Sequence, residues 1–531
     1  MPNTKKLLSI TNLKKYFPVA KKSLFQRQQY YVKANEDISL DIYEGETLGI
    51  VGESGCGKST LGRVLLQLYE QTAGTTMYYG MPRAELAPQY VLDTLKKPQR
   101  YIKKLKAAEA RAHAAAQKVA ASGDAPSFID LQSQNLADAE YQTALAHIAK
   151  ILGGFLVKDT AKGSSLLYRK AQLEDRCAKL NDNIRDIDLL LDEAEGGTLG
   201  GKPVKESQLK KLREKRGALS DLLGNLSRQM QEQDALIAAA KQPYLNDPEF
   251  QKYEAMLDDG IDLARLKYNE MRLLRKDLQI VFQDPYSSLN PRFTIGQIIE
   301  EGLVTHKFYR HGSPKMREHV VRTMKECGLQ EYMLFRYPHQ FSGGQRQRIS
   351  IARALAVHPK FVVCDECVSA LDVSIQSQII NLLQELKEKE HLTYMFISHD
   401  LSVVRYISDR ICVMYLGNVV ELSDAATIFD DPRHPYTVAL LSSIPTTDME
   451  SLKKERILPE GNIPSPIKPP DGCKFHTRCW MACDKCRRVP PPLAEIEPGH
   501  FVACHFPERK IDEHGNYLFE MPKTERKSVK E

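Results

Sequence analysis

Two spacings of apolar residues run through the chain. One is the short unbroken run: Leu48-Gly-Ile-Val51, Phe361-Val-Val-Cys364 and Tyr394-Met-Phe-Ile397 each read as a short strand, with polar residues following at once. The other is a helical period. Ser59-Thr-Leu-Gly-Arg-Val-Leu-Leu66 has helical character, and Leu173, Cys177, Leu180, Ile184, Ile187 and Leu191 recur at alternating spacings of four and three. Leu212, Leu219, Leu223, Leu226, Met230 and Ile237 repeat that pattern, interrupted by Arg216 and Gln233. Between them lies Glu-Gly-Gly-Thr-Leu-Gly-Gly-Lys-Pro (195–203), a strong turn signal. The pattern predicts an antiparallel helical hairpin with a seam of heptad type, each arm of about 30 residues reaching on the order of 45 Å. Charge points the same way. The first arm ends acidic (Asp182, Asp186, Asp188, Asp192, Glu193) and the second starts basic (Lys205, Lys210, Lys211, Arg213, Lys215), so folding back brings the two together. Segments 92–121 and 128–153 also predict helices, separated by Ser122-Gly-Asp-Ala-Pro-Ser127.

The residues after the short strands carry chemistry. Gly52-Glu-Ser-Gly-Cys-Gly-Lys-Ser59 lies between a strand and a helix, the context a phosphate-cradling loop requires. Gly52, Gly55 and Gly57 let backbone amides turn inward, and the helix starting near Lys58 adds partial positive charge at its N-terminus. In a nucleotide site Lys58 would neutralise the β- and γ-phosphates and the Ser59 hydroxyl would sit on Mg²⁺. Asp365 and Glu366 end the second strand. The first would hold the Mg²⁺ shell and the second would polarise an attacking water. Taken alone, the same pair reads equally well as a helix N-cap and first-turn acid. His399 ends the third strand; it follows the carboxylates in the order expected of a γ-phosphate sensor.

At this point the chain resembles the ATPase subunits of ABC transporters, specifically the oligopeptide/dipeptide importer branch. The resemblance rests on Gly52–Thr60, Val281-Phe-Gln-Asp-Pro-Tyr-Ser-Ser-Leu-Asn-Pro-Arg292 and Phe341-Ser-Gly-Gly-Gln-Arg-Gln-Arg348. Cys364-Asp-Glu-Cys-Val-Ser-Ala-Leu-Asp-Val-Ser374, Ile397-Ser-His-Asp-Leu-Ser-Val-Val404 and His434-Pro-Tyr-Thr437 add to it, and it covers roughly 1–80 and 268–510. It implies an α/β fold: a RecA-like P-loop NTPase core of ABC type with an antiparallel β lobe and an α-helical signature subdomain. The implied division is 1–80 for the first part of the ATPase, 81–267 for an inserted helical, coiled-coil region, 268–430 for the rest, and 431–531 for a Cys-rich extension.

By resemblance, ATP would be bound by Gly52, Glu53, Ser54, Gly55, Cys56, Gly57, Lys58, Ser59 and Thr60, with Phe17 stacked on adenine. Gln283 would touch Mg²⁺ and water while coupling to the membrane partner. Ser342, Gly343, Gly344 and Gln345 would contact the γ-phosphate of ATP on an opposite subunit, and Asp372 would cross the dimer axis. The catalytic set is then Glu366, His399, Gln283 and Lys58, with Mg²⁺ held by Ser59, Gln283 and Asp365. The resemblance further implies a second homologous ATPase subunit, a related but different chain with a homodimer as the alternative, two transmembrane permease subunits and, indirectly, an extracytoplasmic peptide-binding protein. The expected location is the cytoplasmic face of the cell membrane. Two departures stand out: Phe341 where many ABC proteins have leucine, and Cys367 where the pattern usually has proline.

Composition bounds these readings. No run approaches 18 apolar residues, mean hydropathy is −0.40, and no secretion signal is expected behind Met1-Pro-Asn-Thr-Lys-Lys6. A net charge of +6, from 74 Lys and Arg against 68 Asp and Glu, makes no case for nucleic acid. Of eleven cysteines five cluster, at 473, 479, 483, 486 and 504, in proline-rich surroundings. Only Cys483 and Cys486 offer the paired knuckle of a zinc site. Cys473, Cys479, Cys486 and Cys504 have looser spacings suited to an iron–sulfur cluster, and the resemblance implies a [4Fe–4S] cluster in some members. Zinc and plain reduced thiols remain alternatives.

The insertion is the open question. It reads as a tolerated surface excursion, a docking arm for a partner, or a regulator of dimer closure. Its 29 basic and 27 acidic residues disfavour an RNA- or DNA-binding arm. DNA-repair and chromosome ATPases place their coil after the Q-loop, whereas here it precedes Gln283. Translation-type ABC proteins carry two cassettes, whereas this chain has one Gly-Lys-Ser loop and one Ser-Gly-Gly-Gln. The alternatives to a peptide importer are therefore these non-transport classes or an importer of nickel or another small solute.

Overall fold

Eight strands form the main sheet, in the order Ala494–Glu497, His500–Val502, Asn418–Asp424, Arg410–Tyr415, Thr47–Val51, Thr393–Ile397, Phe361–Asp365 and Leu278–Val281. The five from Arg410–Tyr415 to Leu278–Val281 are parallel, and the rest of the pairings are antiparallel. Thr47–Val51, Phe361–Asp365 and Thr393–Ile397 are buried along their whole length, as strands covered on both faces must be. This computed structural model describes residues 5–21, 29–121, 127–195, 198–199, 202–443, 459 and 461–507.

A second, antiparallel sheet has the order Tyr31–Tyr43, Lys6–Pro18, Ala73–Tyr78 and Ile261–Asp262. Its last strand explains how a long insertion is tolerated. Met77 pairs with Asp262 and Tyr78 with Ile261, so the chain leaves the sheet edge and returns to the same place. Around that root Lys150 and the Tyr79 hydroxyl both bind Asp258, at 2.9 Å each. Arg265 reaches the His147 carbonyl (2.8 Å) and Thr94 Oγ1 (2.9 Å), with its guanidinium 4.4 Å from the Tyr90 ring centre.

The insertion is helical: Gln89–Lys96, Pro98–Ala121, Phe128–Leu152, Thr160–Glu195 and Glu206–Lys241 are its main elements. The helix expected over 92–121 is interrupted at Lys97, because Pro98 cannot continue the hydrogen-bonding of the preceding turn. The separator Ser122–Pro126 lies outside the described residues. Thr160–Glu195 and Glu206–Lys241 have 36 residues each, about 54 Å of helix. They run antiparallel: Lys170 pairs with Asp234 (2.7 Å), Cys177 Sγ meets Met230 Sδ (3.8 Å), and Asp188 meets Arg216 (2.5 Å). In the expected turn, 196–197 and 200–201 lie outside the described residues, and Thr198 pairs with Pro203 across it.

The charge expectation for the hairpin needs correction. Arg216 with Asp188 joins the two arms there, while Asp186, Asp192 and Glu193 pair with Lys307 (2.7 Å), Lys315 (3.2 Å) and Arg310 of another part of the chain. The acidic side chains lie on the outer flank of their helix, away from the seam that buries Ile187, so they meet whatever packs alongside. Here that neighbour is the stretch 307–315, which links helix Ile295–Thr305 to helix Pro314–Glu326 and includes the first turn of the latter; both helices belong to a helical layer with Gly343–Leu355.

Candidate functional site

The loop Gly52–Gly57 joins strand Thr47–Val51 to helix Lys58–Leu65. At Gly57 the backbone has φ 103° and a Cβ would lie 2.1 Å from the Ala34 carbonyl oxygen; at Gly52 it would lie 2.2 Å from that of Met414. Only glycine fits either place. Asn35 Nδ2 donates to the Gly57 carbonyl at 3.1 Å, and buried Lys58 (4% exposed) donates to the Gly52 (2.7 Å) and Glu53 (3.1 Å) carbonyls. Cys56 is buried beneath the loop, and that burial pushes its thiol up despite the nearby Lys58. Ser54 and Gly55 are exposed, and Ser59 and Thr60 are half-buried on the first turn of the helix.

Three other segments end beside this loop because their strands are parallel neighbours in the sheet. Asp365 is 2% exposed; its Oδ2 lies 3.3 Å from Arg63 Nη2, while its Oδ1 is buried without a hydrogen-bond partner. Glu366 sits in the left-handed region, φ 49°, a conformation costly for a residue with a Cβ. Its Oε2 accepts from Gln283 Nε2 at 3.0 Å and lies 3.6 Å from His399 Nδ1. Cys367, in place of the usual proline, is buried, and hydrogen bonding to it pushes the Cys364 thiol up.

Ser342–Gln345 stand apart. Ser342 caps helix Gly343–Leu355, accepting from the Gln345 amide while Gln345 Oε1 accepts from the Ser342 amide. Ser342 and Gly343 are exposed, and among the described residues no hydrogen bond or ion pair joins this segment to the phosphate loop. Phe341 is buried in the core behind it. Asp372 is exposed at the start of helix Val373–Glu390, beside Val373 at 78% exposure. Phe17 is half-buried, its ring edge-on to Tyr69 at 5.5 Å and beneath Lys15.

In the C-terminal part, Cys473, Cys479, Cys486 and Cys504 line one small cavity of about 10 Å³ together with His434, His476 and His505. Cys483 lies outside it, its sulfur 3.7 Å from that of Cys486. Among the described residues no group of three or more His, Cys, Asp or Glu side chains is arranged to hold a metal ion. Burial pushes the Cys473 thiol to about 11 and that of Cys479 to about 12, with the neighbouring thiols adding to the effect.

Comparison with known proteins bears on this arrangement directly. The family described as ABC transporter matches residues 35–153 and 250–369, and the family described as Oligopeptide/dipeptide transporter, C-terminal region, matches 420–486. Oligopeptide transport ATP-binding protein AppF of Bacillus subtilis (strain 168) is 53% identical over 254 residues, 47% of this chain and 76% of AppF. The chain belongs to the ATP-binding proteins of ABC transporters. A putative peptide import ATP-binding protein of Brucella ovis is 50% identical over 247 residues, 46% of this chain and 77% of that one. The solved structure of cbiO1 from Clostridium perfringens aligns over 80% of this chain and 92% of its own, with a TM-score of 0.39 and 15% identity. The ABC-family match skips 154–249, which hold both arms of the hairpin.

Four side chains at the site were not singled out from sequence: Asn35, Arg63, Tyr436 and Arg478. The Glu53 amide donates to the Tyr436 hydroxyl at 2.7 Å, and Arg478 grips both Glu53 carboxylate oxygens at 2.8 and 3.0 Å. Tyr436 lies inside the quoted motif His434-Pro-Tyr-Thr437, and Arg478 directly precedes Cys479, a position read for its thiol alone.

Proposed function

We propose that this chain is the ATP-hydrolysing motor of an importer for di- or oligopeptides, working with two transmembrane subunits, a second ATPase and an extracytoplasmic binding protein. The observation that carries the reading is the convergence of Lys58, Asp365, Glu366, Gln283 and His399 at the ends of adjacent strands. The names of the relatives supply the solute class. No helix among the described residues is long and apolar enough to cross a membrane. The importer reading itself assigns the solute pathway to other chains and this one to the cytoplasmic face.

In this reading the loop amides and Lys58 cradle the β- and γ-phosphates. Buried Asp365 Oδ1, without a partner, fits a ligand to Mg²⁺ together with Ser59 and Gln283. Mg²⁺ supplies charge neutralisation at the phosphate oxygens. Glu366 orients and polarises the attacking water, and His399 stabilises charge on the transferring phosphoryl group. Ser342–Gln345, at a helix N-terminus with Ser342 and Gly343 exposed, meet the γ-phosphate on the partner cassette, and Asp372 meets the dimer axis. The hairpin, with its heptad-type seam, is a lever on dimer closure through the ion pairs at its tip.

In this reading Cys473, Cys479, Cys486 and Cys504, which line one cavity without being gathered as a metal site, would be the ligands of a sulfur-ligated group, a [4Fe–4S] cluster in preference to zinc. Such a group would staple a lobe poor in regular structure. Iron, zinc and acid-labile sulfide analysis of the purified chain tests that assignment.

Affinity purification from detergent-solubilised membranes tests the whole reading. Recovery of two multi-span chains and a second ATPase is the expected result. Recovery with ribosomes or DNA and no membrane chain would overturn it.

A further inference from the structure

The phosphate loop is held from outside as well as from within. Arg478 lies 425 positions from Glu53, yet its Nη1 and Nη2 donate to Oε2 and Oε1 of that carboxylate, a two-pronged contact. Its side chain is only 8% exposed, and its Nη1 also reaches the Tyr415 hydroxyl at 3.4 Å. The guanidinium lies 5.9 Å from both the Tyr415 and the Phe475 ring centres. Tyr436 completes this aromatic box, 4.7 Å from Tyr415 and 5.4 Å from Phe475, and its hydroxyl takes the Glu53 amide. Both the charge and the backbone of one loop residue are therefore held by the C-terminal extension.

Glu53 poses a difficulty that this arrangement answers. A carboxylate in the loop that receives a polyphosphate repels it, unless a fixed cation cancels the charge. Arg478 supplies that cation in a half-dry setting where its attraction is little screened. The packed rings prevent the guanidinium from swinging away, and the Tyr436 hydroxyl fixes the peptide at which the loop turns from its strand.

We propose that Arg478 and Tyr436 are positioning residues for ATP: the C-terminal extension sets the charge and the conformation of the phosphate loop within the same chain. This rests on the nucleotide reading of the loop. It gives the extension a task at the ATP site that needs no group bound among the cysteines.

The test is equilibrium titration of the full-length chain with a non-hydrolysable ATP analogue, alongside steady-state ATPase kinetics. R478A is expected to weaken binding about tenfold and Y436F about threefold, with kcat at saturating ATP within about twofold of the parent. R478K, which keeps the charge without the fork, is expected to fall between parent and R478A. Adding E53Q to R478A is expected to recover most of the loss, because the charge that Arg478 cancels is then gone. A folded R478A with parental affinity overturns the proposal, and so does a loss that E53Q leaves untouched. Should R478A not fold, Y436F decides, and parental affinity there overturns it. A parent chain that does not bind the analogue sinks the nucleotide reading itself, an outcome distinct from the others.

Discussion

Gln283 Nε2 donates to Glu366 Oε2 at 3.0 Å. The two residues are 83 positions apart and meet because their strands, Leu278–Val281 and Phe361–Asp365, are parallel neighbours that end on the same side of the sheet. His399, from the next strand over, approaches the same oxygen at 3.6 Å. Glu366 is thus held between an amide and an imidazole, in a strained backbone conformation that keeps its side chain at the strand end.

If Glu366 is the base, E366Q removes the basic oxygen while keeping the size of the side chain. ATP affinity is expected to survive, and turnover to fall by about 10²- to 10⁴-fold. Nucleotide binding and phosphate release measured on the same preparation separate the two. Hydrolysis at the parental rate would assign the base elsewhere.

The loop itself is sensitive at Gly57, where an added methyl meets the Ala34 carbonyl at 2.1 Å and the backbone sits at φ 103°. That neighbour is main chain on the antiparallel sheet, which cannot give way as a flexible side chain would. G57A is expected to cost about 1–3 kcal/mol of stability and to abolish stabilisation by Mg-ATP. Thermal unfolding with and without nucleotide reads both. A normal ligand-induced shift in G57A would show that the loop tolerates the displacement.

Much of this site was legible in sequence because its signals are local. A strand, a glycine-spaced loop and a helix follow one another within Leu48–Leu66, and Asp365, Glu366 and His399 each terminate an unmistakable apolar run. The hairpin arms were legible from their period, which a lone helix cannot satisfy without a partner. What escaped was set by tertiary contact. Asp186, Asp192 and Glu193 read as partners for the second arm, since spacing along one helix does not tell which flank a neighbouring lobe will cover. Arg478 escaped for another reason: it adjoins Cys479, and the thiol chemistry masked a cation directed at a loop more than four hundred residues away.

The ion pairs at the hairpin tip are a weak tether. Their side chains are mostly exposed, so each contributes about 0–1 kcal/mol and all are screened by salt. Raising ionic strength is expected to speed amide hydrogen exchange across 306–315 and the end of the first arm. D186K/D192K/E193K should reproduce that change at low salt while leaving the melting temperature nearly unmoved. Exchange that is indifferent to both salt and charge reversal would show that the tip is held by something else.

Glu421 attaches the extension to the main sheet, and its protonation should control that attachment. It is fully buried on strand Asn418–Asp424 and accepts from the Arg433 amide (2.7 Å), the His434 amide (2.9 Å) and His500 Nε2 (2.8 Å). Burial alone would raise its pKa, but these donors outweigh it and hold the carboxyl below the ordinary value of 4.5. A folded pKa depressed below the unfolded one means that the stabilisation is complete above about 4.5 and drains away as pH falls through the folded value. E421Q presents an amide N–H₂ toward groups that are themselves donors, so it is expected to cost about 3 kcal/mol near neutral pH. That cost should shrink in acid, where the parent loses the same interaction. Denaturant unfolding at about pH 7 and about pH 3, well below the ordinary value, measures the difference. Parent and variant curves separated by the same amount at both would mean that Glu421 does not carry the acid sensitivity of the extension.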